Sequence, residues 1–291
     1  MRDMRHTIAP TRIGGRLFEW GSRTFVMGIV NVTPDSFSGD GLLATVAGSH
    51  GAALQVAVAQ ARRMADEGAD IVDVGGESTR PGHEPVPEEE ELGRVIPAVA
   101  AIHAALPDLP ISVDTTKPAV AAAAIDAGAV LINDVWGVES DDAMARLAAT
   151  RRVPLILMHN RVMAVYGDLV AEVLADLRAA LDRAMTAGVP RENLIVDPGF
   201  GFGKTPKHNL LVLRELSALH VLGQPILLGT SRKSTLGFAL GGAPLEDRLE
   251  ATLATTALGI AAGADIVRVH DVRANVRAAR ISDAVIRGVL E

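Results

Sequence analysis

Eight short apolar runs, each followed by a longer stretch of helical periodicity, constrain what this chain can fold into more than any other feature. The runs fall near residues 25–31, 69–75, 110–114, 129–135, 153–158, 193–197, 225–230 and 264–270. Helical patterns follow near 51–67, 89–105, 117–127, 141–150, 168–187, 207–219, 247–262 and 272–289. Several runs (Phe25–Val30, Pro154–Met158, Ile226–Leu228) are apolar on both faces, as strands of a parallel sheet covered by helices must be. The segment Gly68-Ala-Asp-Ile-Val-Asp-Val74 is echoed by Gly263-Ala-Asp-Ile-Val-Arg-Val269, and more loosely by Gly128-Ala-Val-Leu-Ile-Asn133. In each, a glycine sits where a helix ends and a strand begins within two residues, the short αβ loop of a repeated βα unit. Eight such units predict an α/β protein built as a (β/α)8 barrel; an open doubly wound sheet is the alternative. Residues 1–24 read as a lead-in with a small hairpin over 11–24, and 25–291 as the barrel.

The bulk numbers narrow the partners. Of 291 residues 48% are hydrophobic and 22% charged, which suits a globular chain with a sizeable core. A net charge of −7 without a basic run argues against nucleic acid or an anionic membrane surface. With no cysteine there is no thiolate nucleophile, disulfide or thiolate metal site. Met1–Pro10 carries no apolar stretch of the signal-peptide kind, and Asp126 interrupts the longest membrane-span candidate, so the expectation is a cytoplasmic protein.

Both candidate folds place their ligand at the carboxyl ends of the strands. Those ends read Asn31, Asp73 followed by Glu77-Ser-Thr-Arg80, Asp114, Asn133, His159, Asp197, Ser231-Arg-Lys233, and Arg268 with His270. The richest is Asn193-Leu-Ile-Val-Asp-Pro-Gly-Phe-Gly-Phe-Gly-Lys204. There Pro198 stops the strand directly after a carboxylate, and three glycines alternate with two aromatics. A Walker phosphate loop does not fit, because Pro198 stands where its first glycine belongs, and Lys204 takes the last glycine position of the dinucleotide pattern.

Two chemistries emerge. Asp114, Asn133 and Asp197 offer carboxylate and amide groups to the donor-rich edge of a nitrogen heterocycle. Helix capping is the competing explanation for Asp114, ahead of Thr115-Thr-Lys-Pro118, and for Asn133-Asp134. Arg80, Lys233, Arg268 and His270 suit a phosphate or pyrophosphate anion. Lys233 lies where a short helix begins, and a cation there opposes the helix dipole unless an anionic ligand is present. Loops 31–41 and 75–82 are rich in Gly, Pro, hydroxyls and charge, as lids over a site are. The run Glu88–Glu91 reads instead as solvated charge favoured by a helix N-terminus. No clustered zinc pattern or Gly-x-Ser-x-Gly elbow is present. If a metal takes part, Mg²⁺ held by Asn31 and substrate phosphate oxygens is the expectation. Anion binders without an obvious nucleophile suit displacement of a phosphorylated leaving group.

Seven segments in order resemble those of the dihydropteroate synthases: Asn31-Val-Thr-Pro-Asp-Ser-Phe-Ser38, Gly68-Ala-Asp-Ile-Val-Asp-Val-Gly-Gly-Glu-Ser-Thr-Arg-Pro-Gly82, Ile111-Ser-Val-Asp-Thr115, Ile132-Asn-Asp134, Asp197-Pro-Gly-Phe-Gly-Phe-Gly-Lys204, Ser231-Arg-Lys-Ser234 and Arg268-Val-His-Asp271. The resemblance implies a barrel that condenses p-aminobenzoate with 6-hydroxymethyl-7,8-dihydropterin pyrophosphate, in an SN1-like displacement that releases pyrophosphate. It further implies that Asp114, Asn133, Asp197 and Lys233 bind the pterin and Asn31 binds Mg²⁺. Arg268 and His270 then take the pyrophosphate, with Thr79 contributing from the second loop. Phe202 and Ser231 border the aminobenzoate, and Asp35 stabilises the pterin cation, so that Asp35, Lys233 and Arg268 carry the catalysis. The family is commonly dimeric, and the Ala-rich helices near 247–289 are candidates to pair in a homodimer. The chain departs from the family at Met158-His-Asn-Arg161, where many members read Met-His-Met-Gln, at Ser38-Gly-Asp-Gly41, and at His83. Three rival readings share parts of this pattern. A pterin-dependent methyltransferase acting with a corrinoid protein has no need of pyrophosphate binders, and a non-catalytic pterin-binding paralogue has no need of Asp35 and Arg80. A Schiff-base aldolase would rely on Lys233 alone.

Overall fold

The computed structural model describes residues 8–33, 50–77, 86–137 and 142–289. A two-stranded antiparallel hairpin, β1 (Thr11–Ile13) and β2 (Arg16–Phe18), comes first. Then β3 (Phe25–Asn31), α1 (His50–Asp66), β4 (Ile71–Gly75), α2 (Glu88–Ala105), β5 (Ile111–Asp114), α3 (Pro118–Asp126), β6 (Leu131–Asp134) and α4 (Ala143–Arg151) alternate. The second half continues with β7 (Leu155–Met158), α5 (Leu169–Thr186), β8 (Leu194–Asp197), α6 (Pro206–Arg214), β9 (Leu227–Leu228), α7 (Ser234–Ala239), α8 (Leu249–Ala261), β10 (Ile266–Val269) and α9 (Val272–Ile286).

Strands β3–β10 form one parallel sheet in the order β8-β7-β6-β5-β4-β3-β10-β9. Its two edges meet through a parallel bridge between Val196 and Ile226, with the Val196 amide donating to the Pro225 carbonyl at 3.0 Å. The chain is therefore a (β/α)8 barrel and not an open sheet. The ladder of β9 is shorter than the apolar run 225–230 predicts. Its Ile226 amide donates to the Asp265 carboxylate at 3.0 Å, so a side chain replaces one rung. The helix expected over 207–219 ends at Arg214 and is succeeded by a 3₁₀ stretch over Leu216–Leu222, closed by Gly223 at φ 65°.

Strand periodicity sorts the side chains into two cores. Outward residues such as Val72, Val74, Leu155, Leu157, Leu194 and Val196 pack under the helices. Inward residues at the amino ends of the strands (Phe25, Ile71, Leu131, Ile195, Ile266) pack with Ile13 and Phe18 of the hairpin. The hairpin thus plugs the lower mouth of the barrel. It is clasped there by the Thr11 hydroxyl, which donates to the Glu192 carbonyl and accepts from the Trp20 indole at 2.9 Å.

Candidate active site

Two residues along the same strands the inward face becomes polar. Ile71 gives way to Asp73, Leu131 to Asn133, Ile195 to Asp197 and Ile266 to Arg268; Asp114 ends β5 beside them. Within this upper layer Arg268 Nε donates to Asp73 Oδ2 and Arg268 Nη2 to Asp114 Oδ2, both at 2.6 Å. Asn133 Nδ2 donates to the same Asp73 oxygen at 2.9 Å. The other oxygens, Asp73 Oδ1 and Asp114 Oδ1, are buried and accept no hydrogen bond from the described residues. A buried acceptor without a donor costs about 1–3 kcal/mol, more when charged, so these two oxygens call for donors that no described residue supplies, of the kind a donor-bearing ligand carries.

The protonation states follow the same burial. Asp114 is pushed up to about 7, first by loss of solvent and then by Asp73 and Glu91, against the pull of Arg268 and Lys233. Burial likewise lifts Asp197 to about 6, although the Gly199 amide donates to its Oδ1 at 2.7 Å and Lys233 stands near. Neither carboxylate caps a helix: α3 begins at Pro118 after Lys117, and in the Asn133-Asp134 pair only Asp134 forms a local turn bond, to the Trp136 amide at 3.0 Å.

After β8 the glycine-aromatic turn folds back on the end of β7. Gly199 adopts φ 69° and passes so near the His159 carbonyl that a Cβ would sit 1.8 Å from its oxygen. Gly201, at φ 87°, leaves room for the Lys233 side chain, whose Cδ would be 2.8 Å from a Cβ there. Lys233 Nζ thereby lies 3.7 Å from the centroid of the Phe202 ring, a cation–π pairing at the barrel mouth. Lys233 occupies the N-cap position of α7, as its spacing predicts. Its neighbour Arg232 is paired with Asp271 at 2.6 Å and 2.9 Å.

Two members of the expected anion-binding group behave differently from their residue types. Arg268 is held between Asp73 and Asp114, so its guanidinium belongs to the heterocycle-facing layer. Its inward register on β10, opposite two carboxylates, is the reason. His270 is neutral, because burial and then the Arg232 and Arg268 cations depress it to about 3. Its backbone amide donates to the Ser231 hydroxyl at 3.1 Å, and that hydroxyl lies 3.0 Å from Nδ1. In the Nε2-protonated tautomer the hydroxyl donates to Nδ1 and the imidazole keeps an N–H donor at Nε2. Asn31 ends β3, half-buried, in register with Gly75. Asp35, Thr79 and Arg80 lie outside the described residues.

The structure also places residues that strand-end reading left without a role. Asp73 is the hub of the polar layer; the signal was its position two residues beyond Ile71, the spacing that brings Asp197 in after Ile195. Lys204 reaches His159 Nδ1 at 2.8 Å. Glu91, read as solvated charge, is buried and paired with Lys117, which also binds Glu77. The reading fails because α2 sets its first turn against the loop after β5, where a cation waits.

A family model of pterin binding enzymes matches residues 27–270. A dihydropteroate synthase of Clostridium beijerinckii is 50% identical over 277 residues, covering 95% of this chain and 99% of its own. The structure of Xanthomonas albilineans dihydropteroate synthase with 4-aminobenzoic acid superposes with a TM-score of 0.88 at 44% identity, over 97% of this chain and 99% of the other. The same organism's enzyme in complex with 7,8-dihydropteroate gives 0.85 at 42% identity, over 97% and 100%.

Proposed function

Because this chain belongs to the pterin binding enzymes, and within them to the dihydropteroate synthases, we propose that its polar barrel end joins 6-hydroxymethyl-7,8-dihydropterin pyrophosphate to p-aminobenzoate as follows. The observation that carries the assignment of residues is the pair of buried carboxylates, Asp73 and Asp114, each with an oxygen that no described residue satisfies. A 2-amino-4-oxo pterin ring presents amino and ring N–H donors of the kind those oxygens lack. Asp197, lifted to about 6 by burial, is drawn toward its charged form by ring donors. The Asn133 carboxamide, fixed by its bond to Asp73, lends the ring an acceptor and specificity. Lys233 covers the pterin from the Phe202 side.

In the transfer the bond between the pterin methylene and the pyrophosphate oxygen breaks with its electron pair leaving on oxygen. The aromatic amine then gives its lone pair to the methylene carbon and sheds a proton. Positive charge on the pterin is stabilised by the carboxylate layer beneath it, with Asp35 supplying a further one. Negative charge on the leaving group is met by the His270 N–H, by Arg268 and by Thr79 and Arg80. Phe202 and Ser231 border the arylamine. Asn31 fits a Mg²⁺ role only in part: its amide oxygen is one hard donor, and the described residues contain no group of three acidic or histidine side chains that could hold a metal. The ion would then depend on pyrophosphate oxygens and water, as Mg²⁺ commonly does, and would supply charge neutralisation to the leaving group.

Exposed Leu258 on α8 and Ile281 and Val285 on α9, two helices packed side by side, support a homodimer through this face. The assembly would work in the cytoplasm on small-molecule substrates, without nucleic acid or membrane; among the described residues no helix is long and apolar enough to cross one. Mixing the purified protein with both substrates and Mg²⁺ should yield dihydropteroate and one pyrophosphate per product. No pteroate under those conditions defeats the assignment, and sedimentation as a monomer defeats the dimer.

A further inference from the structure

The turn that carries Phe202 is held by a lysine that plays no part in the transfer described above. Lys204 Nζ stands 3.1 Å from the Gly199 carbonyl, 3.2 Å from the Phe202 carbonyl and 2.8 Å from His159 Nδ1. An ammonium has three N–H donors and here faces three acceptors; a neutral amine would have only two donors. For His159 to accept at Nδ1 its proton must sit on Nε2, which lies 3.1 Å from Asp176 Oδ2 on α5. The same carboxylate oxygen accepts from Arg161 Nε and Nη2 at 3.0 and 2.8 Å, and Arg161 Nη1 donates to Glu172 at 2.7 Å. Arg161 also lies over the Tyr166 ring, whose hydroxyl donates to the Gly203 carbonyl at 2.8 Å. From α5 to the turn, each polar group is thus matched to the next.

We infer that Lys204 is a positioning residue for the condensation: its ammonium, oriented by the His159–Asp176 pair, fixes the Gly199–Gly203 turn and so keeps Phe202 against Lys233 where the arylamine must enter. The inference rests on the reading of the site given above. The groups facing Lys204 are Asp197 from β8, His159 and Arg161 from the loop after β7, Asp176 from α5 and Lys233 ahead of α7. Burial draws the lysine down to about 7, with Asp197 and Asp176 opposing and Arg161 and Lys233 assisting. Loss of its proton removes the third donor and loosens one of the three acceptors.

The test is steady-state kinetics of the full-length protein with p-aminobenzoate varied, alongside calorimetry with 6-hydroxymethylpterin. Lys204→Met should raise KM for the amine about tenfold, the cost of about one hydrogen bond to a charged group. Its kcat at saturating amine should stay within about twofold, and its affinity for the pterin alcohol should match the wild type. In the wild type KM for the amine should climb as pH rises through about 7; in Lys204→Met that limb should be absent. Titration of Asp114 and Asp197 acts on the pterin and appears in the calorimetry instead. Should Lys204→Met fail to fold, Asp176→Asn serves, since this residue sits partly exposed on α5. Removing its charge should move the same limb to lower pH. An amine KM and pH profile unchanged in Lys204→Met, or a limb unmoved in Asp176→Asn, would overturn the inference. A wild-type protein that forms no product fails the reading of the whole site, and does so before any variant is made.

Discussion

At the lower end of the barrel, Ile71, Leu131, Ile195 and Ile266 pack against Phe18 and Ile13 with no polar atom among them. Two residues further along the same four strands, Asp73, Asn133, Asp197 and Arg268 face one another across the barrel axis. The lower layer is closed mainly by apolar side chains and is finished by the hairpin, whose Phe18 ring is tilted 49° to that of Phe25 with centroids 4.7 Å apart. The upper layer contains charge that its own partners only partly compensate, leaving acceptors open and two carboxyls shifted upward. One end contributes stability through burial of apolar area; the other gives up stability so that a ligand can complete it. The lesson is that a single barrel divides these tasks by height along the strand, within a distance of one side-chain repeat.

The largest break in this contrast should come at the upper end. Asp197→Asn should lower kcat/KM on the order of a thousandfold, about 4 kcal/mol in transition-state terms, since it weakens charge-assisted bonds to the ring. The same variant should be more stable than the wild type at neutral pH. The Asp197 carboxyl titrates near 3.8 when unfolded and about 6 when folded. Between those values the native state holds more protons, so its contribution to stability is present at low pH and lost as pH rises. The gain of Asp197→Asn over wild type should therefore grow from about pH 4 to 6 and level off at up to about 3 kcal/mol. Burial acts in the opposite sense on His159 and His270, held near 4 and 3; their contribution to stability is regained as pH rises toward 6.5. The wild-type profile is consequently flatter than either set alone, and thermal melts of variant and wild type across pH would reveal the difference. A variant that is both inactive and less stable at pH 8 would show the carboxylate to be structural.

Phe18→Ala tests the other end. It should cost about 3–4 kcal/mol through lost burial and an unfilled plug, lowering Tm by about 10 °C, while kcat of the folded protein at a safe temperature stays unchanged. A comparable loss of kcat would mean that the two layers are coupled. The smallest effect probes a charge in the upper half that is structural and not ligand-facing. Lys117→Met strands the buried Glu91 and should cost about 3 kcal/mol, whereas Lys117→Met with Glu91→Leu should recover most of it. Chemical denaturation of the single and double variants checks this, and equal destabilisation in both would remove the pair from the account.

Much of this was legible along the chain. The apolar runs and helix-ending glycines gave the number and order of βα units, and the strand-end positions of Asp114, Asn133, Asp197, Lys233, Arg268 and His270 marked polar groups that the fold gathers at one end of the barrel. Less legible was which charge meets which. Arg268 and Lys233 look alike as cations at strand ends, yet one is gripped by two carboxylates and the other rests on an aromatic ring. Glu91 looks like its three solvated neighbours in Glu88–Glu90 until α2 turns it toward Lys117.

Strand period and strand length are local properties, set by steric preference and by the two-residue repeat of side-chain direction. They let the chain by itself determine the eight βα units and the polar residues at their strand ends, while closure into a barrel was decided by the bridge between Val196 and Ile226. Pairing between charges is decided by distances across the barrel and by how much water each group loses. Asp73 and Arg268 stand 195 residues apart in the chain and 2.6 Å apart in space. Only the closed tertiary structure brings such groups together, and only its burial turns ordinary carboxyls, two histidines and a lysine into groups that titrate away from their usual range.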